Sequence, residues 1–389
     1  MKKKMVILGK GSAGAFALTH FTQFVSDQCE FELHHNPAIP PTTVGEGTNS
    51  AFPQALFENT GFAYSDLRFV DGSLKTGIYK EGWGDGKGYH HNFKTPAVSM
   101  HFNANKLQDY ILDQLSSKYK MVETDETDYS KIDADFIMDC TGKPTDYTPF
   151  KMLETIPVNS VHVTQCYWEQ ARFQYTLTLA RPWGWVFGIP LQNRCSIGYL
   201  YNNTITSLDE VKEDVKEVFA QYNLTPSNDT NTFSFKNYYR KKNFVDRVVY
   251  NGNASFFLEP MEATSIGTMG WINRYAYDYW FGNLPIEAID MAYENTHVEV
   301  ETMIMLHYLA GSKYKTKFWD FAGERAEKRI RESLKSSPGF NEIIEMSKQD
   351  PYKIRTDGHN RGYGSWGVYS FMQNFNDLGL YEKVDRLRE

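Results

Sequence analysis

The sequence predicts an α/β fold in which a mainly parallel, crossover-built sheet carries an antiparallel insertion and is followed by a mainly helical region. Three observations predict it. The first thirty-five residues read as strand, tight turn, helix, strand; β-like runs at hairpin spacing fill about 155–205; and helical periodicity dominates after Ile286.

Met5 to Leu8 is a short apolar run, Gly9 to Gly14 is punctuated by glycine, and Ala15 to Val25 places Phe16, Leu18, Phe21 and Val25 at helical spacing. Cys29 to His34 alternates as a second strand, and a right-handed crossover sets it beside the first. Asn36 to Gly47 (NPAIPPTTVGEG) holds three prolines, which withhold amide donors from any sheet, so it is expected to be an extended loop. Lys106 to Leu115 reads as a helix, and Ala134 to Asp139 as a buried strand ending in Cys140-Thr141-Gly142. The runs VHVTQCYW, FQYTLTL, GWVFGIPL and RCSIGYLY form the insertion, and Leu208 to Tyr222 is a charged amphipathic helix. From IEAIDMAYENTHVEVETMIMLHYLAG onward the chain is helical, then polar and glycine-rich near Asp357 to Gly367.

Composition excludes several classes. The net charge of −7, with 41 Lys and Arg interspersed among 48 Asp and Glu, leaves no basic stripe for a phosphate backbone, so no nucleic-acid partner is expected. Cys29, Cys140, Cys166 and Cys195 form no Cys-x-x-Cys pair and sit near no His at ligand spacing, which predicts free thiols, a cytoplasmic setting and no metal. Gly9, Gly11 and Gly14 interrupt the apolar start where a secretory leader would continue, and no run approaches a membrane span. The 15% aromatic content suits a pocket for flat ligands and equally suits a well-filled core.

Gly9-Lys10-Gly11-Ser12-Ala13-Gly14 fits G-x-G-x-x-G between a strand and a helix, where a dinucleotide's pyrophosphate approaches the helix N-terminus. The acidic residue expected after the second strand is replaced by His34-His35-Asn36, so the ribose contact falls to His35 or Asn36. Further along stand PAIPPTTVGEG, Lys75 in LKTGI, DCTG at Asp139 to Gly142, GWVFGIP at Gly184 to Pro190, NGNASFFLEPMEATSIG at Asn251 to Gly267, LHY at Leu306 to Tyr308, and Phe318-Trp319. In this order and over about 320 residues, the sequence resembles the flavin-dependent halogenases of the tryptophan halogenase family.

The resemblance implies a Rossmann-type FAD-binding domain of the flavin monooxygenase and halogenase kind over 1–285, and a substrate-side helical region over 286–389. It implies reduced FAD, oxygen and a halide (chloride, bromide or iodide) as co-reactants that give hypohalous acid. The cofactor contacts it implies are Gly9, Gly11, Ser12, Ala13, Gly14, His35, Ile39, Val44, Glu46, Gly47, Asn253 and Ile266. Lys75 then delivers the halogen, and Glu262 stabilises the cationic ring intermediate and takes its proton. The backbone amides of Thr264 and Ser265 hold the halide, where Ser265 stands in place of the family's usual glycine. Trp185, Phe187, Ile189 and Pro190 wall the flavin compartment from the substrate compartment, with Phe187 replacing a second tryptophan. His91, Phe93 and Trp319 line the substrate pocket.

Around residue 314, where tryptophan-specific members carry an acid for the amino group, this chain reads Lys313-Tyr314-Lys315, which predicts an electron-rich aromatic substrate other than free tryptophan. No second glycine motif serves NADH, so a separate flavin reductase is the expected partner, and a homo-oligomer is open. Two other readings share these motifs: a flavin-dependent hydroxylase, which needs neither Lys75 nor a halide nest, and a flavin-binding module without catalysis. Retention of both Lys75 and Glu262 favours the halogenase.

Overall fold

The computed structural model describes residues 2–39, 45–93, 97–282, 284–349 and 362–389. Val44, assigned to the cofactor by resemblance, lies outside them, as do residues 40–43 of the proline-rich segment.

The N-terminal strand–turn–helix–strand unit forms as expected: Lys3–Leu8, then the helix Ser12–Phe24, then Cys29–His35. Burial of Met5 to Leu8 on both faces of the sheet explains why this strand reads as a continuous apolar run. The two strands pair in parallel, and they sit at the centre of a six-stranded sheet that also holds Tyr119–Glu123, Phe136–Asp139, Val248–Tyr250 and the edge strand Phe244–Val245. Among the described residues, the only antiparallel pairing in this sheet is at that edge.

The second sheet is larger than the sequence suggests. The insertion strands Ser160–Tyr167, Thr176–Arg181, Gly184–Pro190 and Arg194–Tyr201 fall where they were expected. The sheet also takes in Thr225–Ser234 on one edge and Gly77–Glu81 with Tyr89–Asn92 on the other, making seven strands. Thr176–Arg181 pairs in parallel with Gly77–Glu81, a long-range join that no local pattern announces. A third, three-stranded sheet holds Gly45–Gly47, Ser99–Asn103 and Ser73–Lys75. Lys75 therefore ends a strand of one sheet, and Lys80 sits in the next strand, which belongs to another.

The helix Thr264–Trp280 packs on the N-terminal helix, and Ile286–Ala310 packs on both it and Lys317–Ser336. The C-terminal hairpin Gly362–Tyr363/Trp366–Gly367 and the helix Val368–Asp377 lie against Tyr89–Asn92. One hydrophobic cluster runs from Met5 through Met100, Trp185 and Leu306 to Val384, so the helical region and the parallel sheet share a core. All four cysteines are free and buried. Among the described residues, no helix is long and apolar enough to cross a membrane.

Candidate active site

Glu262 is held where side chains from four distant segments converge. Its backbone and that of Ala263 both adopt left-handed conformations (φ 63° and 53°), an unfavourable pair for non-glycine residues that turns the carboxylate inward ahead of the helix Thr264–Trp280. The side chain is 4% exposed and forms an ion pair with Lys80. His307 Nε2 lies 3.1 Å from Oε1, Trp366 Nε1 donates to Oε2 at 3.0 Å, and His91 Nδ1 lies 3.5 Å from Oε2. Burial alone would raise this carboxyl, but the Lys80 ammonium beside it holds it well below its ordinary range. It is an anion at any working pH.

The tautomers follow from geometry. His307 Nδ1 faces the carbonyl of Met303 at 3.2 Å, so Nδ1 carries the proton and Nε2 accepts from Lys80 Nζ at 2.8 Å. Burial and the neighbouring Lys80 lower the His307 pKa to about 4, which keeps the ring neutral. Lys80 completes its set with Asn374 Oδ1 at 2.6 Å, and Asn374 Oδ1 also accepts from Tyr89 Oη at 2.9 Å. Burial lowers the Lys80 pKa and Glu262 opposes that shift.

Lys75 is 1% exposed. Its ammonium donates to the carbonyl of Thr48 at 3.0 Å and lies 5.7 Å from the centre of the Phe93 ring. Burial lowers its pKa to about 8, against a smaller opposing effect from Glu262. The sequence places Lys75 and Glu262 together; the structure puts Lys75 within the field of Glu262 and gives the direct pairing to Lys80, which sequence reasoning missed. The available signal was a lysine at an inward position: Ile78 and Lys80 alternate on one face of Gly77–Glu81, and both are buried.

The strand Tyr89–Asn92 turns His91 toward Glu262, while His90 points away and packs against Tyr79 and Tyr175. Trp366 stands edge-on to His91 with centroids 6.1 Å apart and lies 5.3 Å from His307, so it is the indole nearest the carboxylate. Trp319 is one ring further back. Its Nε1 donates to the carbonyl of Arg181 at 2.8 Å, and it packs edge-on against Trp83 at 5.4 Å, which in turn meets His307 and Trp185. Trp83 and Trp366 were not singled out from sequence.

Trp185, Phe187 and Ile189 share one face of Gly184–Pro190, and the Trp185 and Phe187 rings are 6.3 Å apart. Phe187 lies over Gly198, where a Cβ would meet the ring at 2.1 Å. Trp185 is anchored by its Nε1, which donates to Glu259 Oε2 at 2.8 Å, and Tyr308 Oη donates to the same oxygen at 2.8 Å. Burial raises the Glu259 carboxyl to about 8, with those two bonds opposing, so it is protonated at neutral pH. The Pro190 carbonyl accepts from Ser73 Oγ at 2.6 Å, which ties this strand to the one that ends in Lys75. Thr264 and Ser265 open the helix Thr264–Trp280, whose N-cap Ala263 offers no side-chain acceptor to their amides.

The glycine turn shows three separate uses of glycine. Gly9 is left-handed (φ 95°); a Cβ on Gly14 would lie 1.8 Å from the Gly9 carbonyl oxygen; and a Cβ on Gly11 would meet nothing within 4 Å. Ser12 Oγ donates to Glu46 Oε1 at 3.0 Å, and burial raises the Glu46 carboxyl to about 7 against that bond. Gly47 closes the same strand beside Lys75, where a Cβ would stand 3.5 Å from Nζ. Gly252 packs on Ala13, placing Asn253 near the turn, while Ile266 is buried and Ile39 is exposed.

The tryptophan halogenase family model matches residues 4–130 and 118–349. The chain belongs to this family. Among curated relatives, tryptophan 7-halogenase KtzQ of Kutzneria sp. (strain 744) is 25% identical over 55% of this chain and 40% of its own. Tryptophan 7-halogenase RebH of Lentzea aerocolonigenes is 21% identical over 88% of this chain and 81% of its own. The solved structure of Xcc4156, a flavin-dependent halogenase from Xanthomonas campestris, shares the fold with a TM-score of 0.79 at 17% identity, covering 100% of this chain and 94% of that one. Flavin-dependent halogenases are oxidoreductases that use reduced FAD, oxygen and halide. The hydroxylase alternative is not favoured.

The residues present fit FAD. Among the described residues, the N-terminus of Ser12–Phe24 has no side-chain cap, a Cβ on Gly11 would meet nothing within 4 Å, and the His35 Nδ1 at the end of the second strand is buried without a partner.

Proposed function

We propose that this halogenase passes an electrophilic halogen through Lys75 to a small electron-rich aromatic other than free tryptophan. What carries the reading is the state of Lys75: a buried ammonium with one hydrogen-bond acceptor among the described residues, and a pKa brought down to about 8. An amine in that setting sheds its proton near neutral pH. The neutral nitrogen takes halogen from hypohalous acid with release of water, and it is restored as the amine when the ring carbon takes the halogen and loses a proton.

In this reading FAD, delivered in reduced form by a separate reductase, would supply together with oxygen the two-electron oxidation of halide to hypohalous acid. Gly11, Ser12, His35 and Glu46 would bind it, and the amides of Thr264 and Ser265 would hold the anion at a helix N-terminus. Glu262 works through its charge: a carboxylate held this far below its ordinary range stabilises a cationic ring well and is a weak base. His91, Phe93 and Trp366 give the acceptor ring flat neighbours, with Trp319 behind Trp83 as their support. At Tyr314 the chain offers a phenol packed near the Arg181 guanidinium, 5.8 Å from the ring centre, which is no anchor for a substrate ammonium.

The test is product analysis with bromide, reduced FAD and a panel of phenols, indoles and free tryptophan. Brominated phenols or substituted indoles are expected, and a folded Lys75→Ala protein that binds FAD is expected to make none. Regioselective halogenation of free tryptophan with the panel inert would overturn the substrate assignment.

A further inference from the structure

Two buried lysines face one buried carboxylate, and they are satisfied very differently. An ammonium has three donors. Lys80 has three acceptors waiting: Glu262 Oε1, His307 Nε2 and Asn374 Oδ1, each fixed by a separate segment of the chain. It also lies 5.3 Å from the Trp366 ring centre and 5.9 Å from that of Tyr89. Lys75 has one acceptor among the described residues, the Thr48 carbonyl, so deprotonating it breaks no ion pair.

We propose that Lys80 is a positioning residue that serves as the permanent counter-ion of Glu262 and thereby leaves Lys75 without one, making Lys75 the amine that is free to react. The inference rests on the reading of Lys75 as the reactive amine and adds to it the device that selects one lysine over the other. Were Lys80 absent, the Glu262 charge would act uncompensated on Lys75 and hold it as an ammonium. The other titratable groups around the pair are His91, His101, His307, Tyr89 and Asp377. The three imidazoles are kept neutral by burial and supply no substitute cation.

The experiment is a pH titration of the Lys75 side chain by NMR in the full-length protein with ¹³C-labelled lysine, the signal assigned with Lys75→Arg. Lys80→Arg is expected to leave the Lys75 midpoint in place, and Lys80→Met to raise it by about one unit or more, a tenfold change in the neutral fraction. The double variant Lys80→Met/Glu262→Gln replaces an ion pair with a neutral pair of similar volume, so it remains informative if the single variant does not fold. Its Lys75 midpoint is expected within about half a unit of the unmodified protein. An unchanged midpoint in folded Lys80→Met would overturn the proposal. So would a fall of a full unit or more in the double variant, which would show Lys75 to be the counter-ion. Halogenation by folded Lys75→Ala would instead end the reactive-amine reading while leaving the titration pattern intact.

Discussion

The pH dependence of halogen transfer follows from the burial of Lys75. With its pKa near 8, about one Lys75 in ten is neutral at pH 7; at the ordinary value of 10.5 the fraction is about 0.03%, so burial raises the supply of reactive amine about 300-fold. Transfer through the neutral amine is therefore expected to increase about ninefold from pH 6 to 7 and about fivefold from pH 7 to 8, then to level off. The assay uses an indole with no titrating group and measures brominated product relative to hypohalous acid captured by a scavenging dye, which removes the pH dependence of halide oxidation. Lys75→Arg keeps the charge and cannot lose it, so it is expected to make hypohalous acid while product falls by about 10²-fold or more. A product-to-trap ratio that stays flat from pH 6 to 9, or a competent Lys75→Arg enzyme, would refute the argument.

Glu262→Gln removes the fixed negative charge, and product formation is expected to fall about 10²-fold while dye-trapped hypohalous acid is spared; an equal fall in both signals would assign Glu262 to halide oxidation. Gly14→Ala drives a Cβ into the Gly9 carbonyl and is expected to prevent folding, whereas Gly11→Ala meets open space at an ordinary φ of −68° and should change stability by no more than about 0.5 kcal/mol while weakening FAD binding, both readable by thermal melts and flavin titration. Glu259 has a folded-state pKa raised from 4.5 to about 8, so its contribution is fully present below pH 4.5 and lost as pH rises to 8, at up to about 1.4 kcal/mol per unit. Glu259→Gln keeps an oxygen acceptor for Trp185 and Tyr308 without ionising, and its Tm advantage over the unmodified protein is expected to widen from pH 5 to 8 and hold steady above; a constant difference would contradict the protonated state.

The parts of the molecule that the sequence announces are those whose constraints are local. Gly9 and Gly14 are needed because a turn and a helix must meet within a few residues, and the steric demand is written into the same few positions. The insertion strands declare themselves by alternation, and that alternation correctly puts Trp185 and Phe187 on one face. What alternation cannot convey is that Trp185 needs an acceptor, because Glu259 lies 74 positions further along the chain. The same limit hides the shell of Glu262. Lys80, His307, Trp366 and Asn374 are separated by up to 294 positions and are gathered by the parallel join of Thr176–Arg181 to Gly77–Glu81 and by the packing of the helix Val368–Asp377 on Tyr89–Asn92. Trp319 was placed at the substrate because it is aromatic and matches a motif, whereas Trp83 occupies the position between it and His307.

That Asn374 supplies the last acceptor for Lys80 has a bearing on how the enzyme is made. Ribosomes deliver the chain from its N-terminus, so the glycine turn, Lys75 and both large sheets emerge long before Trp366 and Asn374. Until those residues arrive, Lys80 lacks an acceptor and Glu262 lacks its indole donor. A chain made only as far as Gly364 carries Lys75, Lys80 and Glu262 without the acceptor and the indole donor that complete their surroundings. The order of synthesis thus completes the surroundings of Lys80 and Glu262 only once Trp366 and Asn374 have been made.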